Sequence, residues 1–482
     1  MLFHFLAVSL GVVFGPVFLF GVVLGIKGGF DLFLGEGRGG DGKGLSQVEK
    51  WRVCMIKDVF PESALHELTS LFGQHYEMTS RIMRLLGAKV GKRVYWPGTG
   101  PNIGDYHLIE VGDDVVFGSR ANLVTSDGIG SEKIAIRDMA MVADRVTLLP
   151  GVAVGQETVL GSGAVTRKGK TYVDGGVYIG SKGGDAVCLS SGNGHVSPQS
   201  EFPDSDAGAV DEKANSASTP FGRAFYLGDA PYYVLGQIPI SAYCVVIRVF
   251  TTVYWNIPFI ASIQIFNHIH RREHAFLGMS EGSLHPLLLF GLFTLSYSIL
   301  VTVQSLVALG IIIASKWLLI GRRQPGNYSW DKSSYCQRWQ LFLAIESLRR
   351  DCFRGSGILG MLTGTHWMVM YFRALGAEIG QDCALFANGD PSLLFTEPDL
   401  LTLGNRVAVD DASLVGHINT RGKFDLNRLV VSDGCVLRSG SRLLSGGVME
   451  AGSCLMEHTL IMGGEVVGKG KTVQGWPGEV CG

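Results

Sequence analysis

The segment His417-Ile-Asn-Thr-Arg-Gly-Lys-Phe-Asp-Leu-Asn427 holds an imidazole, two cationic side chains (Arg421 and Lys423) and a carboxylate (Asp425), with Asp411 close upstream. A histidine can take the proton from an attacking amine or hydroxyl while a neighbouring carboxylate orients its ring. That chemistry makes His417 the candidate base, Asp425 or Asp411 its orienting carboxylate, and Arg421 and Lys423 candidate substrate contacts. A histidine that caps a turn is the plainer alternative. His458, in Leu455-Met-Glu-His-Thr-Leu460, and His366, in Leu362-Thr-Gly-Thr-His-Trp367, are further candidates for substrate binding. For His366, packing in a core is the simpler account. Asp127, in Thr125-Ser-Asp-Gly-Ile-Gly-Ser-Glu-Lys133, is the corresponding candidate earlier in the chain.

What positions these residues is a six-residue ladder: Val431, Leu437, Leu443, Met449, Leu455, Ile461, Val467, Val473, each rung followed by small or polar residues. Six matches neither the 3.6 period of a helix nor the alternation of a simple strand. A hexad with one aliphatic rung and frequent turn-permitting glycines is the pattern of a parallel β-helix, in which each coil buries its apolar side against the next. Hexad β-helices often carry acyltransferases, but the rungs are scaffold, and chemistry sits in the loops that leave the solenoid. His417 to Asn427 is such a loop, between Val415 and Val431.

An earlier ladder runs through Val90, Val111, Phe117 and Leu123, pauses over Thr125–Lys133, and resumes at Ile136, Val142, Leu148, Val154 and Leu160. Two β-helices are therefore expected, at 90–180 and 379–475. Their starts match: Leu85-Leu-Gly-Ala-Lys-Val-Gly91 aligns with Ala374-Leu-Gly-Ala-Glu-Ile-Gly380. This points to an internal duplication, with helical lead-ins at 45–88 and 335–375. The earlier copy has Thr125 where the later has His417, so a role in binding or support is expected of it. A histidine metal site needs three imidazoles on adjacent coils. The first ladder offers only His107 and the second only His417 and His458, so no metal is expected there. The polar stretch with His268, His270, His274 and His285 reads more simply as an interfacial loop than as a metal site.

Charged residues make up 17% of the 482 residues, and the mean hydropathy is +0.25. Residues 1–26 carry no charged side chain and are long enough to cross a bilayer. The run is too long for a signal-peptide core and no basic segment precedes it. The chain's start within a span suggests the tail of a longer protein. Residues 232–265, with Pro239 and Pro258 as expected bends, and 287–315 are two more apolar segments. Three spans place both β-helices on one side of the membrane, the cytosolic side by expectation; a re-entrant pair at 232–265 would separate them. Residues 181–220 are Gly, Ser, Asp and Asn with hardly any large apolar residue and read as a disordered linker. A net charge of −2 argues against a nucleic-acid-binding face. Nine cysteines without a C-x-x-C pair argue against a disulfide scaffold and suit a reducing compartment.

This order of parts resembles the C-terminal region of ε-poly-L-lysine-synthetase-type proteins, a kind of nonribosomal-peptide-synthetase-like protein. The residues that carry the resemblance are Lys316-Trp-Leu-Leu-Ile-Gly-Arg-Arg-Gln-Pro-Gly326, Leu362-Thr-Gly-Thr365, Tyr371-Phe-Arg-Ala-Leu-Gly-Ala-Glu-Ile-Gly380 and Asp127-Gly-Ile-Gly-Ser-Glu-Lys133. The resemblance implies a multi-pass membrane protein with two tandem left-handed parallel β-helices of the hexapeptide-repeat, acyltransferase-like kind. It implies transfer of a carrier-bound acyl or aminoacyl unit to an amine or hydroxyl, the donor linked through phosphopantetheine on a carrier domain and no cofactor bound directly. This chain carries neither an adenylation-sized domain nor a carrier serine motif, so an adenylation and carrier protein, or missing N-terminal domains, is the expected partner. The rival reading is a non-catalytic, membrane-anchored β-helix scaffold that docks a partner or carrier domain.

Overall fold

The computed structural model describes residues 2–34, 47–96, 102–103, 105–128, 130–191, 221–276, 286–350, 359–387, 395–420 and 422–481. Among the described residues, three long helices are apolar enough to cross a membrane: α1 (Leu2–Leu34), and, further along the chain, Gln237–Phe276 and Pro286–Leu319. Between α1 and the first coil lie α2 (Gln47–Val59), α3 (Glu62–Phe72) and α4 (Glu77–Leu86). The helical lead-in expected over residues 45–88 is therefore made of three helices. Gly73 stops α3 in a left-handed conformation (φ 85°), and a Cβ there would lie 2.8 Å from Ile240. A glycine both permits the turn and lets the neighbouring helix approach.

The first ladder forms three parallel sheets. One runs through Lys89–Val90, Ile109–Val111, Ile134–Ile136, Ala153–Val154 and Thr171–Tyr172; the others contain Val116–Phe117 and Asn122–Leu123 with their successors. Residues 181–190, expected in the linker, belong to this body instead. Val177–Lys182 and Asp185–Ser190 pair as an antiparallel hairpin that closes the stack. Its turn, at Gly183 and Gly184, has positive φ, and Tyr172 donates its hydroxyl to Asp185 at 2.6 Å. The rest of the expected linker, 192–220, lies outside the described residues.

The second ladder repeats this architecture. Val431 pairs with Met449 and Met449 with Val467; Leu437 pairs with Leu455 and Leu455 with Val473; Leu443 pairs with Ile461. Each rung thus stacks on the third rung along, so one hexad is one side of a three-sided coil. All eight rungs are buried in a single core. The two stacks touch: Arg442 of the second forms an ion pair with Asp144 of the first, and Trp476 donates its indole N–H to Ser162 O.

After α5 (Gly222–Leu227), α6 (Gln237–Phe276) is one continuous helix with Pro258 inside it, not a re-entrant pair. It packs along α7 (Pro286–Leu319), where the Tyr254 hydroxyl donates to Gln304 O at 2.6 Å. It also meets α8 (Tyr335–Arg350), where Trp255 donates to Leu348 O at 2.8 Å. Two short helices, α9 (Leu359–Leu362) and α10 (His366–Ala374), lead into the second stack.

Candidate functional site

The loop between Val415 and Val431 is a β-hairpin, His417–Thr420 against Lys423–Leu426. The segment that follows α7 supports it. Gly326–Asn327 adds a third strand, Tyr328 N–H donates to Phe424 O at 2.7 Å, and Ser329 Oγ accepts from Phe424 N–H at 3.0 Å. Register decides which side chains meet. His417 is opposite Leu426 and Asn419 opposite Phe424, while Ile418 is opposite Asp425. Successive strand residues point to opposite faces, so His417, Asn419, Phe424 and Leu426 share one face and Asp425 takes the other. Asp425 is therefore not the orienting carboxylate.

That role falls to Glu397, which the sequence did not single out. Its Oε1 lies 2.8 Å from His417 Nδ1, and its side chain is fully buried. Glu397 Oε2 accepts the Gly416 N–H at 2.9 Å and also the Thr396 hydroxyl. Burial pushes the Glu397 carboxyl up, but His417, Arg323 and Thr396 together outweigh it and hold the pKa below the ordinary carboxylate value. An ionised carboxylate only accepts hydrogen bonds, so Nδ1 carries the proton in the neutral ring and Nε2 presents its lone pair. The ring stacks on Phe424 (centroids 5.0 Å apart, planes 13° apart) and meets the edge of Trp339 at 5.4 Å. Its side chain keeps 18% exposure, enough for a reactant to reach it.

Glu397 is held by the turn it begins, a 3-10 turn at Pro398–Leu400. Asp399 in that turn accepts from Arg323 Nη1 at 2.8 Å, from Arg323 N–H at 2.6 Å and from Lys316 Nζ at 3.0 Å. All three side chains are at most 1% exposed. Lys316 belongs to α7 and Arg323 follows it, so the end of a membrane-length helix is tied to the turn that aims Glu397. Arg323 Nε also donates to the Tyr335 hydroxyl at 2.7 Å, and Tyr335 packs on Phe424 at 5.6 Å. The first stack reaches the same hairpin through Tyr95, whose hydroxyl lies beside Asn419, on the face of His417. Tyr95 stacks on His75 at 5.3 Å; burial lowers the His75 pKa, and His75 Nδ1 donates to Trp96 O at 2.7 Å.

The remaining expected residues lie elsewhere. Asp411 turns towards the first stack, where its charge acts on Arg145, and its backbone O accepts from Gly440 N–H at 2.7 Å. His458 occupies an exposed coil corner at φ 52°, and a Cβ on Gly440 would lie 2.5 Å from its Nδ1. His366 starts α10 and is exposed; Lys423 is exposed at the hairpin tip. Arg421 lies outside the described residues. Asp127 is engaged locally, accepting from Gly130 N–H at 2.9 Å and pairing with Lys168 at 2.6 Å.

The first stack holds a related pair without an imidazole. Thr125 donates its hydroxyl to the buried Asp105 at 2.9 Å, and Asp105 precedes a 3-10 turn (Tyr106–Leu108) as Glu397 precedes its own. The separation is 20 residues in both pairs. Asp105 also faces Lys57 Nζ at 3.2 Å. With a hydroxyl in place of a ring nitrogen, this pair lacks the imidazole that the second stack presents.

No protein-family model matches the chain, and no curated protein sequence matches it. Solved structures do. One is a hexapeptide-repeat acetyltransferase from Vibrio cholerae O1 biovar eltor, complexed with acetyl-coenzyme A: 15% identity over 28% of this chain and 86% of that one, TM-score 0.20. Another is a maltose O-acetyltransferase from Clostridium difficile 630: 17% identity over 27% of this chain and 86% of that one, TM-score 0.20. At this level of similarity the likeness assigns no activity to this chain.

Proposed function

We propose that this protein is a membrane-embedded acyl or aminoacyl transferase that joins a thioester-borne acyl unit to an amine or hydroxyl, with His417 as general base. The observation that carries this reading is the 2.8 Å contact from His417 Nδ1 to the buried Glu397 Oε1. A carboxylate that accepts from Nδ1 selects the tautomer whose Nε2 can take a proton. As the acceptor nitrogen or oxygen attacks the thioester carbon, Nε2 removes its proton. The tetrahedral intermediate then collapses, the carbon–sulfur bond breaks, and the thiolate leaves with the proton returned by Nε2. General-base help of this kind contributes about 10²–10⁴-fold, and positioning of donor and acceptor adds to it.

The finer parts of the reading follow the resemblance. The donor is an acyl unit on the phosphopantetheine arm of a carrier domain, activated by a partner protein, as in synthesis of amino-acid polymers. The two stacks are copies of one ancestral unit, wound left-handed, with the first binding or supporting and the second reacting. Their mutual contact through Arg442 and Asp144 supports a location on one face of the membrane; that this is the cytosolic face is part of the proposal. What favours this reading over a purely structural scaffold is that the imidazole held by the buried carboxylate keeps 18% exposure. The decisive experiment measures transfer from an acylated carrier in membranes holding wild type or His417→Ala. Turnover that is unchanged in the variant removes the role assigned to His417.

A further inference from the structure

Just beyond the end of α7 lies a notch whose lining includes Arg322, Arg323, Arg428 and Thr402 together with the carboxylates Glu378 and Asp399. Its free space is about 20 Å³, room for one water-sized group such as a single oxygen atom. Arg323 forms one wall; it is 3% exposed, and its Nη2 has no hydrogen-bond partner, whereas its Nε and Nη1 are both used. An unpaired guanidinium nitrogen in a buried position is costly, and a bound acceptor would relieve it. Arg322 and Arg428 stand at the rim, both exposed, and Arg322 lies 3.4 Å from Glu378. Lys316, Arg322, Arg323 and Arg428 face Asp399, Glu378 and Glu397, which leaves one positive charge uncompensated.

The notch lies at a particular depth. The apolar window of α7 ends at Leu319, and Trp317 and Leu318 on its last turn are 42% and 86% exposed. If α7 crosses a bilayer, the residues that follow it lie at headgroup level, where aromatic and basic residues gather. We propose that this notch binds a phosphate group presented by an anionic phospholipid, one phosphate oxygen entering beside the Arg323 side chain and the others resting between Arg322 and Arg428. Arginine suits this because its planar fork matches phosphate geometry. The site is distinct from His417, but Arg323 also holds Asp399, so a bound lipid would brace the turn that carries Glu397.

The proposal rests on the membrane reading above, and the test separates the two. Full-length wild type and the double variant Arg322→Gln/Arg428→Gln are first floated with phosphatidylcholine vesicles; failure of both to float overturns the spans. Both are then placed in phosphatidylcholine nanodiscs with a minority of phosphatidylglycerol, and retained lipid is read by native mass spectrometry. Wild type is expected to retain phosphatidylglycerol several-fold more than the variant, in the presence or absence of millimolar orthophosphate. Equal retention in proteins that both float overturns the phosphate site. Displacement of the lipid by orthophosphate overturns the lipid as source and assigns the notch to a soluble phosphate.

Discussion

Glu397 and Asp399, two residues apart on one turn, face opposite ways. Glu397 meets His417 at 2.8 Å, and Asp399 meets Arg323 at 2.8 Å and Lys316 at 3.0 Å. One carboxylate orients the candidate base, and the other fastens the turn to the end of α7. Position and chemistry at this site are therefore linked through the backbone of Pro398.

Replacing His417 with Ala is expected to lower turnover by about 10²–10⁴-fold, the usual range for loss of a general base. Glu397→Gln keeps the shape but removes the charge that selects the Nδ1–H tautomer, so kcat should fall while KM changes little. Steady-state kinetics on both variants checks this, and equal kcat for Glu397→Gln and wild type would sink the orienting role.

Asp425→Asn is expected to leave turnover unchanged, because strand alternation places it on the face away from His417. A large loss would return Asp425 to the site and contradict the hairpin register.

Gly416→Ala tests how closely the site is built. A Cβ there would lie 3.1 Å from Glu397 Oε2 and 3.2 Å from Glu397 Cβ. The carboxylate must shift to accommodate it, at a cost of about 1–3 kcal/mol, typical of overpacking. We expect a folded protein with reduced kcat, read by assaying activity and thermal unfolding together.

Asp399→Asn leaves Lys316 and Arg323 buried with their shared counter-charge removed. Breaking one partner of a buried ion pair costs about 3–5 kcal/mol. A lowered unfolding temperature in detergent is the expected result, and an unchanged one would show that the network carries little stability.

Acid should weaken the same region. Burial pushes the Glu397 and Asp399 carboxyls up, but their cationic partners outweigh it, so both are depressed in the folded chain. A depressed carboxylate stabilises above its unfolded value, about 4, and that stabilisation is lost as pH falls through the folded value. Unfolding free energy should therefore decline below about pH 4, with a shallower slope in Glu397→Gln. Equal slopes in wild type and variant would contradict the assignment.

The coils were legible because their signal is local and repeated. One aliphatic residue in six, from Val431 to Val473, needs only coil-on-coil stacking to be buried, and every rung is. The membrane-length helices were legible for a similar reason, since an uncharged apolar run is a property of consecutive residues. His417 stood out because it interrupts the rungs.

Its partner did not stand out. Asp425 is nearer in sequence, but a strand sends alternate residues to opposite faces, and only the register at Ile418 and Asp425 shows which side each takes. Glu397 reaches His417 across 20 residues because the 3-10 turn at Pro398–Leu400 lies one coil away, and no spacing rule marks that. Trp339 and His75 come from segments that neither ladder contains, and Tyr95 comes from the other ladder. The sequence by itself determined the repeating walls and the apolar helices, because each is encoded by neighbours along the chain. The tertiary structure alone decided which carboxylate meets the imidazole, because that depends on how coil, hairpin and helix end pack in space.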